Sequence, residues 1–286
     1  MSKTNRFHIC FIFVLILISF SATALCQETF NITREDNKSV PIVAYFPDKA
    51  CKGIVIISHG AGASEIVYYY LGAAMAAQDY LTVVPGHQES GLDALNQKVL
   101  AAHGPRQGLI DLITDPEAYR GRFMDIAAAM NWARERCDGK ESILIGHSMG
   151  AATTMIEAGA KNKLGVKGSD SFDIYIALSP QGPGAIFTPN AWRQISKPAL
   201  LMTGTKDKEL DAPDWQNRTE PFYGMSPGCK WLGVINGATH FNFAGIGLSW
   251  KTEKLTVKTI QDFLAGVHKH DCKHPRQEKG IEIKVK

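Results

Sequence analysis

The pentapeptide Gly146-His147-Ser148-Met149-Gly150 follows an apolar run, Ser142-Ile143-Leu144-Ile145, and precedes a small-residue stretch, Ala151-Ala152-Thr153-Thr154-Met155. Strand, G-x-S-x-G and helix in that order describe a nucleophile elbow, a turn so tight that one serine hydroxyl stands clear of the backbone at the head of a helix. Gly146 and Gly150 remove the side chains that would collide with the neighbouring strand and helix. A serine hydroxyl is a weak nucleophile, so Ser148 needs a base within hydrogen-bond reach and an acid to orient that base.

Behind such an elbow the partners follow in the order acid, then histidine. The histidines downstream of Ser148 are His240, His268, His270 and His274. His240 is the one in a turn just past an expected strand, within Asn236-Gly237-Ala238-Thr239-His240-Phe241. Asp207 follows the apolar run 199–203 in Gly204-Thr205-Lys206-Asp207, with Asp211 and Asp214 as nearby alternatives. The strand before it ends in Ser179-Pro180-Gln181-Gly182 and offers no carboxylate. An oxyanion forming on an attacked carbonyl needs two preorganised donors. The N–H of Met149, next after the serine, supplies one, and Ala61 in Ser58-His59-Gly60-Ala61-Gly62 supplies the other, because small residues let that backbone approach a substrate closely.

The elements that must hold these groups alternate between strands and helices. Residues 30–33 and 40–46 read as an antiparallel pair with a turn at 34–39. Continuous apolar runs at 52–58, 81–84, 141–145, 174–178, 199–203 and 231–235 read as strands buried on both faces. Helices are expected at 69–78, from Asp115-Pro116 through 136, and at 249–268. The alternation implies an α/β domain with a mostly parallel sheet covered on both faces. Residues 86–116 form an insertion with one or two short helices, long enough to be a substrate-facing cover. Near the expected active edge, Tyr69 in Tyr68-Tyr69-Tyr70, Phe187, Trp192, Phe241 and Phe243 are candidates for an apolar pocket wall. His87, at a strand end, either lines the site or has no role there.

The chain has 286 residues, 45% of them hydrophobic and 21% charged, enough for one sizeable domain. Lys3 and Arg6, an apolar stretch at 9–20 and the A-x-A site Ala22-Thr23-Ala24 read as a signal peptide over 1–24. That leaves a single domain at 25–286 and an exported, secreted or periplasmic protein with no stable membrane anchor after cleavage. Losing Lys3 and Arg6 with the leader leaves 29 basic residues against 28 acidic. A balance that even offers no field for nucleic acid. Residues 273–286 are locally basic and read as a flexible tail.

Beyond Cys10 and Cys26 the cysteines are Cys51, Cys137, Cys229 and Cys272, an even set that allows three pairings. Cys51 and Cys137 each stand just before an expected strand, while Cys229 precedes the last expected strand and Cys272 follows the last helix. If the strands are parallel neighbours, topology favours Cys51–Cys137 and Cys229–Cys272. His268, His270, Cys272 and His274 fit no standard zinc spacing, so no metal and no cofactor are expected.

Taken together, His59-Gly60-Ala61-Gly62, Gly146–Gly150, Gly204–Asp207 and Ala238-Thr239-His240 resemble the α/β-hydrolase superfamily over nearly the whole expected domain. Ala177–Gly182 and Asp115–Arg122 look like the branch of dienelactone-hydrolase-like proteins, platelet-activating-factor acetylhydrolase-like esterases and bacterial cutinase-like hydrolases. The resemblance implies a serine ester hydrolase working through an acyl-enzyme, with Ser148 as nucleophile, Asp207 as acid, His240 as base and Ala61 and Met149 as donors. The chain departs from dienelactone hydrolases, whose nucleophile is cysteine. It departs from the vertebrate acetylhydrolases in lacking an acid after Leu178, and from the cutinase-like enzymes in having Ala61 where they carry an aromatic. The partner expected is a small-molecule or lipid-like ester, and the protein is expected to be a monomer. The same triad would equally serve an amidase or peptidase, and such a scaffold can also bind without turnover.

Overall fold

The computed structural model describes residues 27–210 and 214–286; the expected leader over 1–24, Cys26 and the alternative acid Asp211 lie outside them. The described residues open with β1 (Gln27–Thr33) and β2 (Ser39–Tyr45), then β3 (Gly53–Ser58), α1 (Tyr69–Ala76) and β4 (Tyr80–Pro85). A 3-10 turn at Gln88–Ser90 leads to α2 (Leu92–Ala101), α3 (Pro105–Ile113) and α4 (Pro116–Arg134). Next come β5 (Glu141–His147), α5 (Met149–Glu157), β6 (Ile174–Leu178) and β7 (Ala199–Lys206). A 3-10 turn (Trp215–Thr219), α6 (Glu220–Gly224), β8 (Lys230–Thr239), a 3-10 turn (His240–Ala244), α7 (Trp250–His268) and β9 (Ile281–Val285) complete the chain.

Among the described residues, nine strands form one sheet in the order β1-β2-β4-β3-β5-β6-β7-β8-β9. From β4 to β8 the neighbours run parallel, and β1, β2 and β9 add antiparallel strands at the two sides. β3 and β4 are buried along their whole length, as a sheet covered on both faces requires. The period of two assigns the faces. Ile54 and Ile56 pack with residues of α4 and α5, whereas Val55 and Ile57 pack with those of α1 and α7. α4 starts where the Asp115-Pro116 signal placed it: the Asp115 carboxylate accepts the Glu117 N–H and Pro116 occupies the first turn. Among the described residues no helix is long and apolar enough to cross a membrane.

Parallel strands put their C-terminal ends at one edge, where ligands bind in such sheets. Ser148, Asp207 and His240 stand just past β5, β7 and β8, so topology alone brings them to that edge. The opposite edge carries the cystines. Gly53 pairs with Glu141 in the β3–β5 ladder, which brings Cys51 and Cys137 to a Cα separation of 5.5 Å in a disulfide. Cys229 and Cys272 form the second, with a Cα separation of 5.4 Å. Both pairings are those that topology favoured.

The expectation of a flexible tail over 273–286 is corrected by β9. Ile281, Ile283 and Val285 alternate with Glu282 and Lys284, and the strand runs antiparallel to β8 from Ile235 to Trp231. The alternation delivers the three apolar residues to the α1 and α7 side of the core. It also covers the backbone edge that β8 would otherwise present to solvent.

Candidate active site

Ser148 sits at φ 55°, ψ −119°, a conformation L-residues rarely adopt and keep only where the surroundings fix it. Its N–H donates to the Leu178 carbonyl of β6 (3.0 Å), and its own carbonyl accepts the Ala152 N–H inside α5 (3.1 Å). The glycines are obligatory. A Cβ on Gly146 would strike the Gly150 carbonyl oxygen and Thr154 Oγ1, and one on Gly150 would strike the Ser58 carbonyl oxygen of β3.

Three side chains meet at this turn. His240 Nε2 lies 2.9 Å from Ser148 Oγ, and His240 Nδ1 lies 2.9 Å from Asp207 Oδ1. Because a carboxylate only accepts, Nδ1 carries the ring proton and Nε2 is left to accept from the serine hydroxyl. Asp207 is fully buried; its Oδ2 accepts from Thr203 Oγ1 at 2.9 Å. Burial alone would raise its carboxyl, but the hydrogen bond from His240 and the charge of Arg218 outweigh it and hold the group below the usual carboxylate range. His240 retains partial exposure, 24% of its side chain, so the relay runs from a sealed acid to an open serine. Asp214 instead caps the 3-10 turn at Trp215–Thr219 by accepting the Gln216 N–H.

Arg218 carries no signal in the sequence, yet it organises the acid side. Its Nε lies 2.9 Å from Asp207 Oδ1 and donates to the Asp207 carbonyl at 2.8 Å. Nη1 donates to the carbonyls of Ser179 (2.9 Å) and Pro180 (3.2 Å), and Nη2 to that of Lys208 (3.1 Å). One guanidinium thereby ties the ends of β6 and β7 to the carboxylate.

Of the N–H groups of Gly60, Ala61, Gly62 and Ala63 after β3, one has no partner among the described residues. Gly60 N–H donates to Tyr68 Oη (3.1 Å), Gly62 N–H to the Ser90 carbonyl (2.8 Å) and Ala63 N–H to the Gly60 carbonyl (3.3 Å). Ala61 N–H has no partner among the described residues, and neither has Met149 N–H at the start of α5. Arg122 fixes this loop from behind, donating to the His59 carbonyl (2.6 Å), Ser58 Oγ (3.1 Å) and Ser90 Oγ (2.8 Å). Burial lowers its pKa to about 10, and it stays a cation at neutral pH.

His87 does not line the site. It is sealed beneath that loop, with Nε2 at 2.9 Å from Ser58 Oγ and Nδ1 at 2.9 Å from Asp125 Oδ2. Burial holds it neutral, well below the ordinary histidine range.

A cavity of about 200 Å³ opens onto Ser148 and His240. Leu109 and Ile113 of α3, Leu210 and Phe241 give its apolar wall, and Gln181, Lys208 and Glu209 its polar one. The 86–116 segment therefore reaches the site through α3. A larger groove, about 810 Å³, runs past Lys38, Glu89 and Lys98 and contains none of the three relay residues. Of the aromatic candidates Phe241 alone lines the cavity. Phe187 and Trp192 are buried against each other with ring centres 5.3 Å apart, because the excursion after β6 folds them into the core. Tyr69 points away, 57% exposed and 6.0 Å from the Tyr45 ring; its neighbour Tyr68 is the one that turns inward. Phe243 is core. The histidines of the last segment are spread over separate partners, His268 on Glu141 and His274 on Asp271, while Cys272 is in its disulfide.

No family model matches the chain, and no curated protein matches it in sequence. In shape it is similar to the crystal structure of a "predicted CIB-like hydrolase" from Thermoplasma acidophilum, with a TM-score of 0.54 and 15% identity over 83% of this chain and 99% of that one. At that identity the likeness speaks for the fold. The mostly parallel nine-stranded sheet with helices on both faces is the α/β-hydrolase fold.

Proposed function

We propose that the chain is an exported serine hydrolase acting on carboxylic esters of small, lipid-like molecules as a monomer. The observation that carries this reading is the relay of 2.9 Å and 2.9 Å from Ser148 through His240 to a buried, ionised Asp207. Such a relay lets Nε2 take the hydroxyl proton as Oγ attacks the carbonyl, while Asp207 stabilises the imidazolium. The oxyanion is received by the N–H groups of Ala61 and Met149. His240 then protonates the leaving alcohol, and water repeats the sequence on the acyl-enzyme.

The cavity supports a small acyl group. At roughly 30 Å³ per water-sized group, 200 Å³ holds six or seven such groups, below the usual size of drug-binding pockets. The two cystines fit an oxidising compartment outside the cytosol. The test is hydrolysis of p-nitrophenyl acetate and butyrate together with labelling by a fluorophosphonate. Wild type should turn over and carry the adduct on Ser148, and Ser148→Ala should lose about 10⁴-fold or more in rate and all labelling. Full activity in Ser148→Ala would overturn the assignment. Turnover of matched amides at comparable kcat/KM would move the reading to an amidase.

A further inference from the structure

Two loops must hold still for this chemistry, and they come from strands far apart in the sheet. The donor loop follows β3 and the His240 turn follows β8, with β5, β6 and β7 between them. A chain of three hydrogen bonds crosses that gap. Gly60 N–H donates to Tyr68 Oη at 3.1 Å, Tyr68 Oη lies 2.8 Å from His147 Nδ1, and His147 Nε2 lies 3.1 Å from the His240 carbonyl oxygen. Its direction is fixed at both ends. The Gly60 amide can only donate and the His240 carbonyl can only accept, so Tyr68 donates to Nδ1 and His147 carries its proton on Nε2. That assignment needs a neutral His147. Burial, reinforced by the facing His240 ring, holds it well below the ordinary histidine range. The two imidazoles also pack together, with centres 4.8 Å apart.

Tyr68 reaches this position at a backbone cost. It adopts φ 73°, ψ 25° with its side chain buried, a left-handed conformation that is a true outlier for a bulky residue. Strain of that kind persists where the surroundings require it. In that conformation the phenol hydroxyl stands between Gly60 and His147.

We propose that Tyr68 and His147 are positioning residues, a strut that holds the Ala61 donor loop and the His240 base at a fixed separation across Ser148. The proposal rests on the serine esterase reading. Neither side chain needs to touch substrate; each acts through the loop it holds.

Tyr68→Phe deletes one oxygen and keeps the ring, leaving Gly60 N–H and His147 Nδ1 without their shared partner. His147→Gln keeps an amide donor for the His240 carbonyl but no longer places an acceptor at the Nδ1 position facing Tyr68. With p-nitrophenyl butyrate and rates expressed per folded molecule, each variant should lower kcat about 10- to 100-fold with KM within about threefold, the signature of a misplaced transition-state contact. The double variant should be no more than about threefold slower than the slower single one, since a strut is cut only once. A folded Tyr68→Phe with kcat within about twofold of wild type overturns the proposal, as do multiplicative losses in the double variant. If Tyr68→Phe does not fold, His147→Gln and His147→Asn are read by the same criterion. Wild type is measured first: absence of ester turnover and of fluorophosphonate labelling removes the esterase reading, whereas wild-type turnover with an undiminished variant removes the strut alone.

Discussion

Arg218→Met isolates the electrostatic support of the acid from the framework that carries it. Methionine keeps most of the apolar stem but removes the charge and every donor. In the native site Arg218 and Asp207 are 4% and 0% exposed and 2.9 Å apart. Coulomb attraction at that distance is roughly 6 kcal/mol gross at an effective dielectric constant near 20. Much of it offsets the desolvation of both ions, so the informative magnitude is the cost of orphaning one partner, about 3–5 kcal/mol. The variant should therefore melt roughly 6–20 °C lower. It should also lose about 10- to 100-fold in kcat/KM, because a carboxylate shifted by an ångström no longer aligns His240.

The pH dependence gives this prediction a sign. Against the raising effect of burial, the His240 hydrogen bond and the Arg218 charge hold the folded Asp207 below its ordinary value of 3.8. A carboxyl depressed on folding contributes stability that is fully present above the unfolded pKa and is lost as pH falls towards the folded one. The melting difference between wild type and Arg218→Met should thus be largest at neutral pH and shrink below about pH 4. Arg218→Lys, which restores the charge without the fork, should recover part of the stability and less of the rate. Thermal unfolding from pH 3 to 8, paired with ester kinetics, measures both. A melting change under about 2 °C at pH 7, or a difference that does not vary with pH, would refute the reasoning.

Removing the Cys51–Cys137 disulfide by double serine substitution releases a loop of sequence separation 86 and should cost about 2–4 kcal/mol in urea unfolding; a loss under about 0.5 kcal/mol would count against the bond as a stabilising link. Ile113→Phe narrows the cavity wall beside Ser148 and should depress kcat/KM for a hexanoyl ester about tenfold relative to an acetyl ester. An unchanged ratio would place the acyl chain elsewhere.

The parts legible in the sequence were those where local geometry demands particular residues. An elbow needs Gly146, Ser148 and Gly150 whatever surrounds it, and parallel strands fix which loops share an edge, so Asp207 and His240 could be placed from strand ends alone. The cystine pairing followed from the same topology. Phe187, Trp192 and Tyr69 were not legible in this way. An aromatic ring has the same hydrophobic character in a core as in a pocket; the path of the chain after β6 put Phe187 and Trp192 in the core, and the turn into α1 left Tyr69 exposed. β9 did have a local signal, the alternation from Ile281 to Val285, but it lies beyond a basic, helix-free stretch that reads as solvated. The roles of Arg218 and Arg122 could not be read locally, because their partners, the Asp207 carboxylate and several carbonyls and hydroxyls, are gathered by the fold from distant segments.

The buried Ser58, His87 and Asp125 sharpen what makes a site. They are the same three residue types, with the same serine-to-histidine-to-carboxylate contacts at 2.9 Å and 2.9 Å, a short way behind the loop that Ala61 belongs to. Ser58 nevertheless lies inside a regular strand with no exposure, and its hydroxyl already accepts from Arg122. Asp125 is likewise bound by Arg34 Nη1 at 2.9 Å. Sealed at 0% exposure, the Ser58 hydroxyl cannot meet a substrate carbonyl. What distinguishes Ser148 is its strained turn, the partial exposure of His240 and the two uncommitted N–H groups beside it. Within one fold, the same composition is sealed beneath a loop in one place and opens onto a cavity in the other, and the difference lies in backbone geometry and access.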